Sequence, residues 1–188
     1  MMKMLTSRTP VANDAPFRLS DVKAHLRVVH SEDDASIANM AWTAAAEIEH
    51  FAQIALIDQM IRVTIFDPSP TASMISLPIG PARADTVATV LVDGLALAVT
   101  DFELVPGHRP FLHLKAGFFD RDPIPARMSI EYIAGFGGTA AAIPRDLAQA
   151  IADQAAVHFD NRAPNDARAL TTSPHMQRIG ARYRGVKI

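Results

Sequence analysis

The spacing of apolar residues changes twice along this chain of 188 residues, and these changes constrain its fold more than any other feature. Over about 31–55, apolar residues recur every three to four positions, the period of an amphipathic helix. Over 57–134 the period falls to two, as at Ile61 and Val63, which is typical of half-buried strands. The helical period returns over 144–162. This order predicts an α+β fold, a small helical bundle with an inserted antiparallel β unit.

Recognisable start signals precede the three predicted helices. Ser20 can cap a short helix that runs to about residue 28. Ser31 can cap the long helix, with acidic residues in its first turn where the helix dipole favours them. Pro144 suits the first position of the last helix, since its missing N–H has no intrahelical partner there. Residues 1–16 are mixed and polar and contain Pro10, so we expect a loose arm.

Residues 57–134 also carry the turn signals of a β unit. Prolines separate the strand candidates, and Asp93-Gly94 lies between two alternating runs. This dipeptide favours a two-residue type I′ turn, which requires positive φ at both positions. We therefore predict a hairpin over about 87–99 within a compact antiparallel unit, and the glycines of 135–138 end that unit.

The composition excludes several classes of protein. With no cysteine, the chain cannot form a disulfide scaffold, a cysteine-ligated metal site or a cysteine nucleophile. Its mean hydropathy is +0.11, and no apolar run approaches the roughly 18 residues of a membrane span. The first residues lack the apolar core of a signal peptide. We expect a protein that is assembled in the cytoplasm and has no membrane partner.

Charge is distributed unevenly between the body of the chain and its end. The net charge of −2 combines 18 basic and 20 acidic residues, but residues 163–188 hold five of the basic residues and one of the acidic ones. That end is therefore net +4, and residues 1–162 are net −6. Because residues 163–188 show no amphipathic period, we predict an extended tail with a partner of its own.

Few residues have the spacing that catalysis or metal binding requires. Glu47 and His50 form a Glu-x-x-His pair, but carboxylate-bridged metal sites need a second such pair, which the sequence lacks. Asp33 and Asp34 could act as an acid and a base, although the positive end of a helix dipole also explains them. The sequence contains no P-loop, nucleophile elbow or zinc-protease motif. We expect no enzyme, no cofactor and no metal site; a small hydrolase or metal-binding protein that uses these residues is an alternative.

The last part of the tail interleaves basic residues with apolar and aromatic ones. A disordered tail rarely carries so many apolar residues, so the pattern favours a segment that becomes ordered on a protein partner. The other alternative is a DNA-binding module in which the basic residues contact phosphates and Tyr183 stacks on a base. The candidate binding residues are Arg178, Ile179, Arg182, Tyr183, Arg184, Val186, Lys187 and Ile188.

Five motifs, taken in order, resemble one family. They are LSDVKAHLRV at 19–28, AAAEIE at 44–49, IPRDLAQAI at 143–151, FDNR at 159–162 and YRGVKI at 183–188. Their order and spacing are similar to those of the head–tail connector, or adaptor, proteins of long-tailed phages and phage-like gene transfer agents. The motifs fall in the predicted helices and in the tail.

The resemblance implies a structural protein of virion assembly. It implies a helical connector core, here 17–56 and 143–162, that carries the inserted β unit at 57–134, and subunits that form a dodecameric ring. The tail at 163–188 would dock on the portal protein through the candidate residues named above, and the opposite face of the ring would receive a tail-side connector, the stopper. DNA would pass through the lumen without specific binding, in the neck of a virion or phage-like particle.

Overall fold

The chain divides into two compact units in its computed structural model. The first unit comprises residues 1–12 and 58–135, and the second comprises residues 13–57 and 136–188. The residues that the structure describes are 3–68, 72–119, 125–161 and 172–185.

The order of strands and helices confirms the predicted α+β fold class. The strands are β1 (Lys3–Pro10), β2 (Gln59–Phe66), β3 (Met74–Ser76), β4 (Thr89–Val92), β5 (Leu95–Ala96), β6 (Phe102–Val105), β7 (Phe111–Leu114) and β8 (Arg127–Ala134). The helices are α1 (Leu19–Leu26), α2 (Asp34–Ala52), α3 (Ala116–Phe119), α4 (Arg145–Asp160) and α5 (Pro174–Tyr183), with a 3-10 turn at Ala140–Ala142. Within the described ranges, no helix combines the length and the apolar character that crossing a membrane requires.

The first unit contains two antiparallel sheets. The larger has the strand order β1-β2-β8-β4-β5, and the smaller has the order β3-β7-β6. Alternate residues of the central strands are buried, as at Ile61 and Val63 of β2 and at Ile130 and Tyr132 of β8. The Tyr132 hydroxyl donates a hydrogen bond of 2.7 Å to the carbonyl of Ile79. The predicted alternation of apolar residues in these strands is confirmed, and the apolar face of the strands forms the core of this unit.

The predicted hairpin turn is confirmed at Asp93 and Gly94. Their φ angles are 49° and 87°, so both residues have the positive φ that a type I′ turn requires. The Asp93 carboxylate also accepts hydrogen bonds from the backbone N–H groups of Ala126 (3.2 Å) and Arg127 (2.8 Å). The turn is therefore tied to the start of β8 as well as to its own two strands.

The first strand corrects the expectation of a loose arm. Residues 3–10 form β1, which pairs antiparallel with β2 over its whole length, from Lys3 opposite Phe66 to Pro10 opposite Gln59. Pro10 is the last residue of the strand, which fits its lack of an N–H to donate to a ladder. The prediction failed because the side chains of β1 stay largely exposed, so the strand lacks the apolar alternation that marks buried strands.

The second unit is built around α2 and α4, which pack against each other. Alanines occupy much of the buried surface: Ala41 and Ala44 of α2 and Ala155 of α4 are fully buried. Their small side chains let the two helices approach closely. Helix α1 packs on both of these helices, and Val22 is its buried residue.

Helix α2 ends before the predicted boundary at residue 55. Gln53 adopts a left-handed conformation with φ of 55° and closes the helix. The backbone N–H of Leu56 donates a hydrogen bond of 2.7 Å to the Glu49 side chain. The apolar residues that follow the helix remain buried, so they continue its hydrophobic pattern in the sequence without being helical.

The prediction of an extended tail is wrong over Pro174–Tyr183, because these residues form helix α5. Ser173 caps this helix, since its hydroxyl oxygen accepts a hydrogen bond of 2.9 Å from the backbone N–H of Met176. Pro174 occupies the first turn, where proline is tolerated. Met176 and Ile179 are buried, so α5 is packed rather than loose. With so few apolar positions, the helix is too short for its period to stand out in the sequence.

Candidate functional site

Helix α5 is the candidate functional site, because the helix and its C-cap contain most of the predicted binding residues. Its start is fixed by a buried amide of α4. Gln154 is 1% exposed, and its side-chain oxygen accepts a hydrogen bond of 2.7 Å from the backbone N–H of Ser173. The Gln154 amide nitrogen donates a hydrogen bond of 2.7 Å to Glu47 of α2. One buried side chain therefore links α2, α4 and the cap of α5.

A carboxylate of α4 holds the first turn of α5. His175 Nδ1 contacts one carboxylate oxygen of Asp153, and Nε2 of His25 in α1 lies 3.1 Å from the other oxygen. Gln149 donates a hydrogen bond of 2.9 Å to the same carboxylate. Asp153 therefore joins α1, α4 and α5 through a single charged group.

The last turn of α5 packs against aromatic side chains. Gly180 lies against Phe51 of α2, and a Cβ at this position would stand 2.6 Å from Cδ1 of the Phe51 ring. Tyr183 contacts Phe136 edge to face, with 6.0 Å between the ring centroids. The Arg184 guanidinium carbon lies 5.5 Å from the centroid of the Phe51 ring, a cation–π contact. The helix approaches α2 this closely only because residue 180 has no side chain.

A hydrogen bond anchors the C-terminal end of α5 to α4. The Tyr183 hydroxyl donates to Asp146 over 2.9 Å. Burial, and then this hydrogen bond, raise the pKa of Tyr183 to about 12. The hydroxyl therefore stays protonated and able to donate at physiological pH. Arg182 Nη1 lies 3.9 Å from the other carboxylate oxygen of Asp146, close to the limit of an ion pair.

The predicted binding residues fall into three groups in the structure. Ile179 is buried, and Tyr183 and Arg184 contact other side chains of the same unit, so these three residues hold α5 in place. Arg178 and Arg182 are exposed on the outer side of the helix. The remaining three, Val186, Lys187 and Ile188, lie outside the described residues.

Sequence reasoning misses the residues that position α5. They are Phe51, Asp146, Asp153, Gln154 and Gly180. One signal could have located the helix: Ser173-Pro174 places a capping residue directly before a proline. No comparable signal joins Gln154 to Ser173, because only the folded chain brings them together.

Glu47 does not pair with His50 as a metal site on α2 would require. Its Oε2 lies 3.2 Å from Nε2 of His158 in α4, whereas His50 is exposed. Asp34 pairs with Lys23 of α1, so its carboxylate has a structural partner. In the part of the chain that the structure describes, no three His, Asp or Glu side chains form a group that could hold a metal ion.

Several solved structures resemble this chain over nearly its whole length. One is from the neck of an empty gene transfer agent (GTA) particle computed with C6 symmetry, with 25% sequence identity and a TM-score of 0.75. A second is from the virion of a native GTA particle, with 26% identity and a TM-score of 0.77. A third is from the neck of a native GTA particle computed with C12 symmetry, with 26% identity and a TM-score of 0.74. Each match covers 98% of this chain and 97% of the matched chain.

The structural matches extend beyond the sequence motifs. No protein-family model matches the chain, and a search of curated proteins finds no match. The solved structures nevertheless match the chain across both of its units, including the β unit that the motifs leave out. They confirm the resemblance to head–tail connector proteins of phage-like particles that the motifs indicate.

Proposed function

We propose that the protein is a structural component of the neck of a phage-like particle, and that it forms an adaptor ring between the portal and the tail components. The observation that carries this proposal is the match over 98% of the chain to structures of GTA necks. Those necks were computed with C6 and C12 symmetry, which supports a ring of identical copies. The role is architectural and needs no catalytic residue.

The contacts of α5 support two roles within the C-terminal segment. Ile179, Tyr183 and Arg184 are engaged inside the subunit, so they determine where α5 lies. Docking on the portal protein then falls to residues 186–188, which combine two apolar side chains with one positive charge. In this arrangement the subunit holds α5 in place, and residues 186–188 are assigned to the portal.

The charge of the body is consistent with a channel through which DNA moves. Residues 1–162 carry a net charge of −6, and a surface that repels phosphates does not grip a duplex. The proposal therefore includes a lumen through which DNA passes without specific binding. It also includes a tail-side connector protein on the ring face opposite the portal.

Two truncations test this proposal on assembling particles. Deleting residues 186–188 removes none of the described contacts of α5, so the subunit should keep its unfolding temperature. The truncated protein should nevertheless fail to join heads to tails, and electron micrographs should show DNA-filled heads without tails. Deleting residues 182–188 also removes the bond between Tyr183 and Asp146, so it should lower the unfolding temperature as well.

A matched control separates the effect of the sequence of residues 186–188 from the effect of their length. Replacing residues 186–188 with Gly-Ser-Gly keeps the length and should abolish attachment as the deletion does. Wild-type yields of joined particles with both variants would overturn the portal-docking assignment. Binding of duplex DNA that weakens steeply with salt and depends on Arg178 and Arg182 would favour the DNA-binding module instead.

A further inference from the structure

Strand β1 forms a long open edge of the larger sheet. It stands at the end of the order β1-β2-β8-β4-β5, so within the described residues its one strand partner is β2. Each of its 8 residues, Lys3–Pro10, faces one residue of β2, without a bulge. The outer side of such a strand presents a row of backbone N–H and C=O groups with which another strand can pair.

This edge has few of the features that protect open edges in natural proteins. Short strands, bulges, prolines and charges are the usual protection. In β1 the proline is the last residue, and between Lys3 and Pro10 the one charged residue is Arg8. Apolar side chains are also accessible, since Leu5 is 63% exposed and Met4 is 38% exposed. A long edge of this kind promotes aggregation unless a partner covers it, so we expect it to be covered in the assembled protein.

The opposite edge of the same sheet is also apolar. Strand β5 ends the sheet there. The backbone N–H of Leu97 still donates a hydrogen bond of 2.8 Å to the carbonyl of Val90 in β4, so the paired edge continues beyond β5. Leu95 is 73% exposed and Val99 is 72% exposed, and residues 95–99 include no charged residue and no proline. We call residues 95–99 the β5 edge.

The two edges lie on opposite sides of one sheet and run in the same direction. Neighbouring strands are about 4.8 Å apart, so about 19 Å separates β1 from β5, and the two cannot pair within one subunit. Each neighbouring pair of strands in this sheet is antiparallel, so β1 and β5, at the two ends, share one direction. Copies related by a rotation about a ring axis keep that direction, so a contact between β5 of one copy and β1 of the next is parallel.

A second copy is the occupant that a ring requires at these edges. In a cyclic ring each copy meets the next through two unlike surfaces, whereas β1 paired with β1 would give a closed two-fold dimer. The two ends of one sheet are unlike surfaces that complement each other through their backbones, which is how strand addition works. The structures that this chain resembles were computed with C6 and C12 symmetry, which fits copies joined through unlike surfaces.

We propose that the sheets of neighbouring subunits join edge to edge, with the β5 edge of one copy pairing in parallel with β1 of the next copy. The β5 edge is shorter than β1, so it covers part of that strand, and the exposed apolar side chains of both edges lose contact with water. This inference rests on the proposed ring and names the surfaces that build it. It leaves residues 186–188 to the portal.

Cysteine cross-linking tests this pairing directly, because the chain has no native cysteine. Lys3, Ser7 and Ala96 are exposed and lie on one side of the sheet, as the strand register shows. In assembled particles treated with a short bismaleimide, K3C/A96C or S7C/A96C should give a ladder of covalent oligomers, whereas each single variant should stay monomeric. Dimers as the main product of S7C alone would show that β1 pairs with β1 and would overturn the inference.

Lysine substitutions provide a second test, since lysine on an open edge opposes strand pairing. Purified protein is added to extracts that lack it, and the concentration for half-maximal joining of heads to tails is measured. L5K and L95K should each raise that concentration about tenfold or more, because each places a charge where apolar surface becomes buried. V29K changes an exposed apolar residue of the other unit; it is the control and should act as the wild type does. Thermal unfolding verifies that each variant keeps its fold.

The outcomes distinguish the inference from the proposal on which it rests. If the necks of particles hold a ring of this protein but neither double variant gives a ladder, or if both lysine variants act as the wild type does, the edge pairing is wrong and the ring proposal stands. If S7C cross-links to a different protein of the particle, β1 belongs to that partner and the inference is overturned. If the necks of wild-type particles hold no ring of this protein, the ring proposal itself fails.

Discussion

The hydroxyl of Tyr183 donates a hydrogen bond of 2.9 Å to Asp146, which joins the last residue of α5 to the first turn of α4. Tyr183 begins the YRGVKI motif, and Asp146 lies within the IPRDLAQAI motif. Two of the motifs that carry the family resemblance therefore meet in one contact. In this chain, these two motif residues anchor α5 within the subunit.

Removing this hydrogen bond should lower the free energy of unfolding by a modest amount. Tyr183→Phe deletes only the hydroxyl and should cost about 1 kcal/mol. Tyr183→Ala also removes the ring contact with Phe136 and should cost about 2 kcal/mol. Urea unfolding measures both values. A Tyr183→Phe variant as stable as the wild type would show that the bond contributes nothing.

The two tyrosines predict how stability falls at high pH. Burial raises the pKa of Tyr183 from its usual 10.0 to about 12, and it raises the pKa of Tyr132 as well. A group whose pKa is raised in the folded state stabilises that state fully below its unfolded pKa, and the contribution is lost as pH rises through the folded pKa. The contribution of Tyr183 to the free energy of unfolding should therefore persist to about pH 10 and disappear between about pH 10 and pH 12.

Tyrosinate absorbance measures this effect in the native and the urea-unfolded protein. The native titration should be displaced to higher pH, and Tyr183→Phe should remove the earlier of its two steps. Coincident titrations of native and unfolded protein would contradict the prediction, because neither tyrosine would then be held protonated by the fold.

A methyl group at Gly180 should loosen α5. Gly180→Ala places a Cβ 2.6 Å from the Phe51 ring, and such overpacking costs about 1–3 kcal/mol. Trypsin should then cleave faster after Arg178 and Arg182, while α2 and α4 stay protected. Gly138→Ala is the control, since its added Cβ would have no neighbour within 4 Å.

The same contact offers a rescue experiment. Combining Gly180→Ala with Phe51→Ala removes the ring that the new methyl group would meet, and it should recover part of the protection from trypsin relative to Gly180→Ala. If Gly180→Ala alone leaves cleavage unchanged, the close approach of α5 to α2 does not constrain residue 180.

The buried side-chain amide of Gln154, which holds the start of α5, should contribute more to stability than the Ser173 cap. Gln154→Leu keeps the size of the side chain but leaves the Ser173 N–H without its acceptor, which should cost about 1–3 kcal/mol. Ser173→Ala removes the cap and should cost about 1 kcal/mol. Because both changes act on one helix end, their effects should not add. Gln149→Leu, at an exposed position of α4, is the control and should cost less in denaturant unfolding, since water replaces its lost bond.

The elements that could be predicted from the sequence are those whose apolar period records a buried face. Helices α2 and α4 and strands β2 and β8 are of this kind, and Asp93-Gly94 is a turn whose chemistry is local. Strand β1 could not be predicted, because its side chains are largely exposed and its partner strand begins at Gln59. What makes it a strand is the free edge of β2 rather than its own pattern.

The candidate site was harder to predict than the fold, because its anchors are polar or small. A glycine, a glutamine and an aspartate position α5, and nothing in the sequence around Gly180, Gln154 or Asp153 marks them for that role. The basic and apolar pattern of the last residues indicated a binding segment. The pattern could not show that Ile179 and Tyr183 face inward, since that depends on where α5 packs.

The position of β2 between β1 and β8 determines the order in which the chain can fold during synthesis. Its ladder partners come from distant parts of the sequence, with Phe66 opposite Lys3 on one side and opposite Arg127 on the other. Pairings of long sequence separation form slowly, and β2 keeps one open edge until β8 has left the ribosome. The β unit therefore closes shortly before α4 emerges to cover α2, so both units reach their native packing within one late stretch of elongation.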